Sequence, residues 1–128
     1  TPLKGKINLK GRLQCAGGAL KNGFFVFGDA PGDEGLVKCG LRFLQRKAVI
    51  VEGPLDDGKT AAKDLELDKT KVYEIKVTVD LTSGQVTMKT NELTVTATLD
   101  RRPGSISYVG YAVLNTVTDF SLMETSTE

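Results

Sequence analysis

The chain contains no histidine, no tryptophan and only two cysteines among 128 residues. Without histidine it lacks the commonest general base and the usual Ser-His and Cys-His nucleophile pairs. Two cysteines and no histidine cannot complete a standard zinc site. An immunoglobulin-like sandwich would place a tryptophan between its cysteines, and none is present. The net charge is +1, so no bulk electrostatic drive toward nucleic acid exists. No apolar run approaches the roughly 20 residues that span a bilayer. No segment shows helical periodicity, and no signal-peptide pattern opens the chain. It starts at Thr1 and ends on the polar tail 123–128. The expectation is one domain, residues 1–128, excised from a larger protein.

What is present is alternation. In 71–81, Tyr73, Ile75, Val77, Val79 and Leu81 alternate with Glu74, Lys76, Thr78 and Asp80. A period of two sends the first set to one face of a strand and the second to the other. Val86 and Met88 repeat the pattern after Ser83-Gly84, and Leu93, Val95, Ala97 and Leu99 repeat it after Asn91-Glu92. This is a three-stranded antiparallel meander with an apolar face and a Thr/Lys face. Further strands are predicted over 3–9, 11–16, 23–28, 36–44, 47–52, 105–114 and 117–123. Fourteen glycines and Asp/Asn/Pro-rich turns separate them. Many short strands at near-regular spacing predict an all-β, two-sheet antiparallel β-sandwich of jelly-roll type. Its core is expected to contain Ile7, Leu9, Leu41, Phe43, Tyr73, Ile75, Val77, Val79, Val86, Leu93, Val95, Val109 and Phe120. The stretch 53–70 reads as a crossover between sheets or as a single helical turn around Ala61–Asp64.

Two features bear on chemistry before any comparison. Lys4, Lys6, Asn8, Lys10 and Arg12 share one phase of the N-terminal region, opposite Leu3, Ile7, Leu9 and Leu13. That basic face either guards an edge strand against aggregation or meets acidic partners. Cys15 and Cys39 both fall on the apolar phase of their strands. They are either small buried hydrophobes or a disulfide, which would imply an oxidising compartment.

The C-terminal half resembles the concanavalin A-like jelly roll of legume lectins, laminin-G domains and many carbohydrate-active enzymes. The residues that carry the resemblance are Tyr73-x-Ile75-x-Val77-x-Val79-Asp80, the turn Thr82-Ser83-Gly84, the polar turn Asn91-Glu92, Ile106-Ser107-Tyr108-Val109-Gly110-Tyr111 and Val117-Thr118-Asp119-Phe120-Ser121-Leu122. They cover about half the chain. The resemblance implies a noncatalytic carbohydrate-binding module of a secreted protein, extracellular or periplasmic, linked to a catalytic domain. The same fold would also serve a laminin-G-like adhesion domain. A glycosidase on this fold presents paired acids, and Glu74 and Asp80 lie roughly 20 Å apart along their strand, too far for such a pair.

Candidate ligand-binding residues fall in three places. Strand 36–44 places Lys38 and Arg42 outward around Gly40, a cradle for a carboxylate or sulfate. The neighbouring loop adds Asn22 and Asp29. Tyr108 and Tyr111 have opposite parity, so one is expected in the core and the other as a platform for a sugar ring. With 6% aromatics the chain lacks an extended flat stacking surface, which favours an anionic or terminal sugar over a flat neutral polymer. The Thr-rich outer face of the meander is a further polar surface. No motif requires a cofactor. Calcium is the one ion with candidate ligands, Asp29, Asp33 and Glu34, although their spacing is not that of an EF-hand. Gly58-Lys59-Thr60 lacks the leading spacing and the helix of a phosphate loop.

Overall fold

The computed structural model describes residues 5–18, 22–29, 36–43, 46–53, 58–64, 72–90, 93–100, 105–112, 116–120 and 124–127. Among the described residues, eleven strands run in the order β1 (Lys6–Gly18), β2 (Asn22–Gly28), β3 (Leu36–Arg42), β4 (Lys47–Glu52), β5 (Lys59–Asp64), β6 (Tyr73–Asp80), β7 (Gln85–Thr90), β8 (Leu93–Thr98), β9 (Tyr108–Ala112), β10 (Thr116–Phe120) and β11 (Glu124–Thr127). They form two antiparallel sheets. The six-stranded sheet has the order β10-β1-β6-β7-β8, with β11 also on β1, and the five-stranded sheet has the order β5-β4-β3-β2-β9. This is the predicted β-sandwich. No helix among the described residues is long and apolar enough to cross a membrane.

The meander 73–98 stands where its alternation places it. Tyr73, Ile75, Val77, Val79, Val86, Met88 and Val95 are all buried in the space between the sheets. Asp80 fixes the first turn: its Oδ1 accepts from the backbone N–H of Thr82 at 2.9 Å and of Ser83 at 3.3 Å. From the other sheet come Phe25, Phe27, Cys39, Leu41, Phe43 and Ile50. Phe25 meets Phe120 and Tyr111 edge-on at centroid distances of 5.5 and 5.6 Å, and Phe43 meets Tyr73 at 5.8 Å. Such edge-to-face pairs add directional packing to area burial.

Four expectations change. The segments 3–9 and 11–16 merge into one long strand, since β1 pairs with β6 without interruption from Lys6 to Leu13. Gly11 does not break it, because the Phe25 ring fills its missing side chain; a Cβ there would stand 2.6 Å from that ring. The stretch 59–64 is a strand on the rim of its sheet, not a helical turn. Most of β5 is exposed, so no apolar alternation marked it. The short polar β11 is hidden for the same reason. Val109 is 49% exposed instead of buried, because it lies on β9, the last strand of its sheet. Leu93 and Phe120 are partly buried at the margin of the core.

Cys39 is buried and free, which excludes the Cys15–Cys39 disulfide. The side chain of Cys15 lies outside what the structure describes. Burial pushes the Cys39 thiol well above its ordinary value. The thiolate is the reactive form. In a Cys15→Ser chain, Cys39 is therefore expected to resist a thiol reagent at pH 8 until denaturant is added. Above the ordinary thiol range the unfolded chain ionises and the folded one does not, so this group lowers stability as pH rises. Rapid labelling of the native chain would show that β3 has its faces reversed.

Candidate functional site

The sheet register decides which predicted residues meet. On the outer face of the five-stranded sheet, Gly28 pairs with Tyr108 and Leu36, Val26 with Gly110 and Lys38, Phe24 with Ala112 and Gly40, and Asn22 with Arg42. Lys38 and Arg42 do share this outer face with Gly40 between them. The open cradle, however, is not there. Lys38 is 2% exposed, and its Nζ donates to the Gly53 carbonyl at 2.7 Å. Gly40 admits the backbone of β2 rather than a ligand: a Cβ would collide with the Gly23 carbonyl and stand 2.7 Å from the Phe24 Cα. Arg42 is half-buried, with its guanidinium 5.9 Å from the centroid of the Phe24 ring. Asn22 is buried.

This outer face is apolar at its centre. Phe24, Val49 and Val51 form a second small buried cluster, with Ala112 against it. The sequence carried a signal for this in Phe24-Phe25-Val26-Phe27 and Ala48-Val49-Ile50-Val51. Continuous apolar runs mark strands buried on both faces.

Tyr108 and Tyr111 take opposite faces, as their parity predicts, but neither is core. Tyr108 is exposed on the outer face. Tyr111 is 43% exposed and closes the sandwich edge, 4.8 Å from Phe120 between centroids. Asp29 follows β2 and is half-buried. Asp33 and Glu34 lie outside the described residues. Among the described residues, no three His, Cys, Asp or Glu side chains come together as a metal site.

The opposite side of the molecule holds a groove of about 400 Å³, lined by Asn8, Lys10, Lys76, Thr78, Lys89, Glu124 and Ser126 with the backbone between them. It crosses the outer face of the six-stranded sheet. Lys10 on β1 stands directly opposite Lys76 on β6, and Lys76 directly opposite Lys89 on β7. Three lysine side chains therefore start from one row across three adjacent strands. Glu124 on β11 faces Lys10 at one end of this row, and Thr94 on β8 faces Lys89 at the other. A second row is neutral: Ser126, Asn8, Thr78 and Thr87 follow one another in register. The Thr78 hydroxyl donates to Asn8 Oδ1 at 3.0 Å. Glu74 stands 3.9 Å from the Lys10 ammonium and 3.5 Å from that of Lys76. Lys89 makes no ion pair among the described residues. Sequence alternation pointed the side chains of β1, β6, β7 and β8 outward; it could not reveal β11 or show that the lysines align.

Like charges directly opposite on neighbouring strands are destabilising by a few tenths to about 1 kcal/mol. Lys89→Thr removes one such contact without breaking an ion pair. It is expected to leave stability unchanged or raise it by up to about 1 kcal/mol at low salt. The gain should vanish in molar salt, where screening is nearly complete. Urea titrations at two salt concentrations measure this; a loss of stability at both would show that Lys89 holds the fold together.

No protein-family model matches the sequence, and no curated protein matches it. Solved structures do match in three dimensions. The chain is similar to the carbohydrate binding module CBM66 from Bacillus subtilis, with a TM-score of 0.78, 12% identity, and 96% of this chain and 76% of that one covered. It is similar to chicken galectin 2, with a TM-score of 0.72, 14% identity and coverage of 98% and 93%. An alginate lyase from Pseudomonas aeruginosa matches with a TM-score of 0.58, 17% identity and coverage of 98% and 66%. The chain thus has the concanavalin A-like jelly-roll fold that the C-terminal pattern implied. At these identities the likeness is one of fold, and function has to be argued from the site.

Proposed function

We propose that this domain binds a carbohydrate without transforming it, and that an anionic or terminal sugar lies in the groove across the six-stranded sheet. The observation that carries this reading is the in-register row Lys10–Lys76–Lys89 beside the neutral row Ser126–Asn8–Thr78. Ammonium groups offer charge-assisted hydrogen bonds to a carboxylate or sulfate. The amide and hydroxyl groups beside them match the mixed donor and acceptor character of sugar hydroxyls. Glu74, the acid nearest the lysines, is paired with two of them. The likeness in fold to a carbohydrate binding module and to a galectin supports sugar binding. In this reading the domain is the sugar-binding accessory of a secreted carbohydrate-active protein.

The test is a glycan-array screen followed by calorimetry on the acidic hits. Affinity is expected around 10⁻⁵ to 10⁻³ M, about 4–7 kcal/mol. Lys89→Thr should lower it at least tenfold, while Arg42→Ala on the other sheet should not change it. Chelation of calcium should leave it unchanged, because among the described residues no three acidic side chains come together at the groove. Retention of no glycan, or binding that follows Arg42 instead of Lys89, would overturn the assignment.

A further inference from the structure

Resting on the sugar-binding reading, the geometry points to a more specific ligand. We infer that the groove takes a run of three consecutive acidic sugar residues, laid across the strands with one carboxylate or sulfate on each of Lys10, Lys76 and Lys89. Glu74 is an internal counter-ion that holds two of these lysines until the ligand replaces it.

Direction comes first. The groove draws its lining from β11, β1, β6 and β7, one short stretch from each, so its long axis runs perpendicular to the strands. Neighbouring strands lie about 4.8 Å apart. The three lysines therefore start from a row of backbone positions with one anchor about every 4.8 Å, or about 10 Å from first to last. One pyranose residue of a linear chain advances by about one such step of 4.8 Å. A linear polysaccharide with an acid on every residue presents those acids at similar steps but turned to different sides of its axis, and the flexible four-carbon lysine stems reach them. A single acidic sugar supplies one.

Electrostatics comes second. The two Glu74 contacts are long, and the side chains that make them are about half exposed. Exposed pairs of this kind contribute little to stability and exchange readily. Lys89 makes no ion pair among the described residues, so it is the lysine a ligand meets first. Glu124, opposite Lys10, places a negative charge at the β11 end of the row. A fourth acidic residue is repelled there. At the other end Thr94 is neutral, so a longer polymer overhangs on the β8 side.

Sugar polyanions fit better than nucleic acid. Nonspecific single-strand binding combines a basic track with aromatic platforms for the bases. No aromatic side chain lines this groove.

The experiment uses the chain as it stands. Calorimetry is run with galacturonate oligomers of one to six residues, an oligosaccharide sulfated once per residue, a neutral oligosaccharide of matching length, and oligothymidylates of matching charge. Affinity for the acidic oligomers is expected to climb at least tenfold from one residue to three and then level off. The tighter of the uronate and sulfate series identifies the anion. Glu74→Gln should raise affinity severalfold and Lys89→Thr should lower it at least tenfold, with the melting temperature of each variant within a few degrees of the parent. Equal affinity for one residue and for three would overturn the inference. So would a decrease with Glu74→Gln, or oligothymidylate binding as tight as that of the uronate. If the neutral oligosaccharide binds and ignores both variants, the charge register is wrong while sugar binding stands. If no saccharide binds, both readings fall.

Discussion

Val77→Asp is expected to leave a chain that does not hold its fold at room temperature. Val77 is 1% exposed in β6, between Leu9 on β1 and Met88 on β7, and both of those neighbours are buried. A carboxylate there would have apolar side chains around it and no cation among them. Burying an unpaired charge costs several kcal/mol or forces protonation at a comparable cost. A domain of this size has about 5–15 kcal/mol in total. Circular dichroism should show loss of cooperative unfolding at neutral pH. A mutant that unfolds cooperatively near the parent temperature would mean that the faces of the meander are assigned the wrong way round.

Gly40→Ala is expected to be nearly as severe, for a different reason. The added methyl would run into the Gly23 carbonyl and stand 2.7 Å from the Phe24 Cα and 2.9 Å from the Gly23 carbonyl carbon. These are backbone atoms of the paired strand and cannot rotate aside. Overpacking usually costs about 1–3 kcal/mol, and a backbone obstacle sits at or above the top of that range. Gly110→Ala is the matched control, since a Cβ there has nothing within 4 Å. It should stay within about 0.5 kcal/mol of the parent. Urea titration of both variants measures the difference. Equal stabilities would show that β2 and β3 are not packed this closely.

The two variants also show how much of the molecule could be read in advance. Val77 was legible because its strand has one buried and one exposed face, so alternation survives in the residue string. Its partners Leu9 and Met88 follow the same rule. Gly40 was legible only as a place of close approach. Whether a ligand or a neighbouring strand fills that place depends on β2, and the structure assigns it to β2. Strand β5 and strand β11 escaped notice because their exposed residues lack any apolar alternation to betray them.

The candidate site divides along the same line. Lys38 and Lys89 look alike in sequence, each an outward-facing lysine in a well-patterned strand. One is buried with its ammonium on the Gly53 carbonyl, and the other lines an open groove. Outward from the strand pair is not the same as exposed to solvent, because further parts of the chain can cover a sheet. The apolar outer cluster of Phe24, Val49 and Val51 is the reason the five-stranded sheet does not present the polar surface its lysine and arginine suggested.

By itself the sequence determined the all-β class, the phase of nearly every strand and most of the core, because alternation and turn chemistry act over a few residues and need no distant partner. It also excluded the histidine-based chemistries outright. Only the tertiary structure decided which cations are available and which stand together. Lys10 meets Lys76 through the β1–β6 pairing, which joins distant parts of the chain. Register is set by the packing of two whole sheets, and no local pattern encodes it.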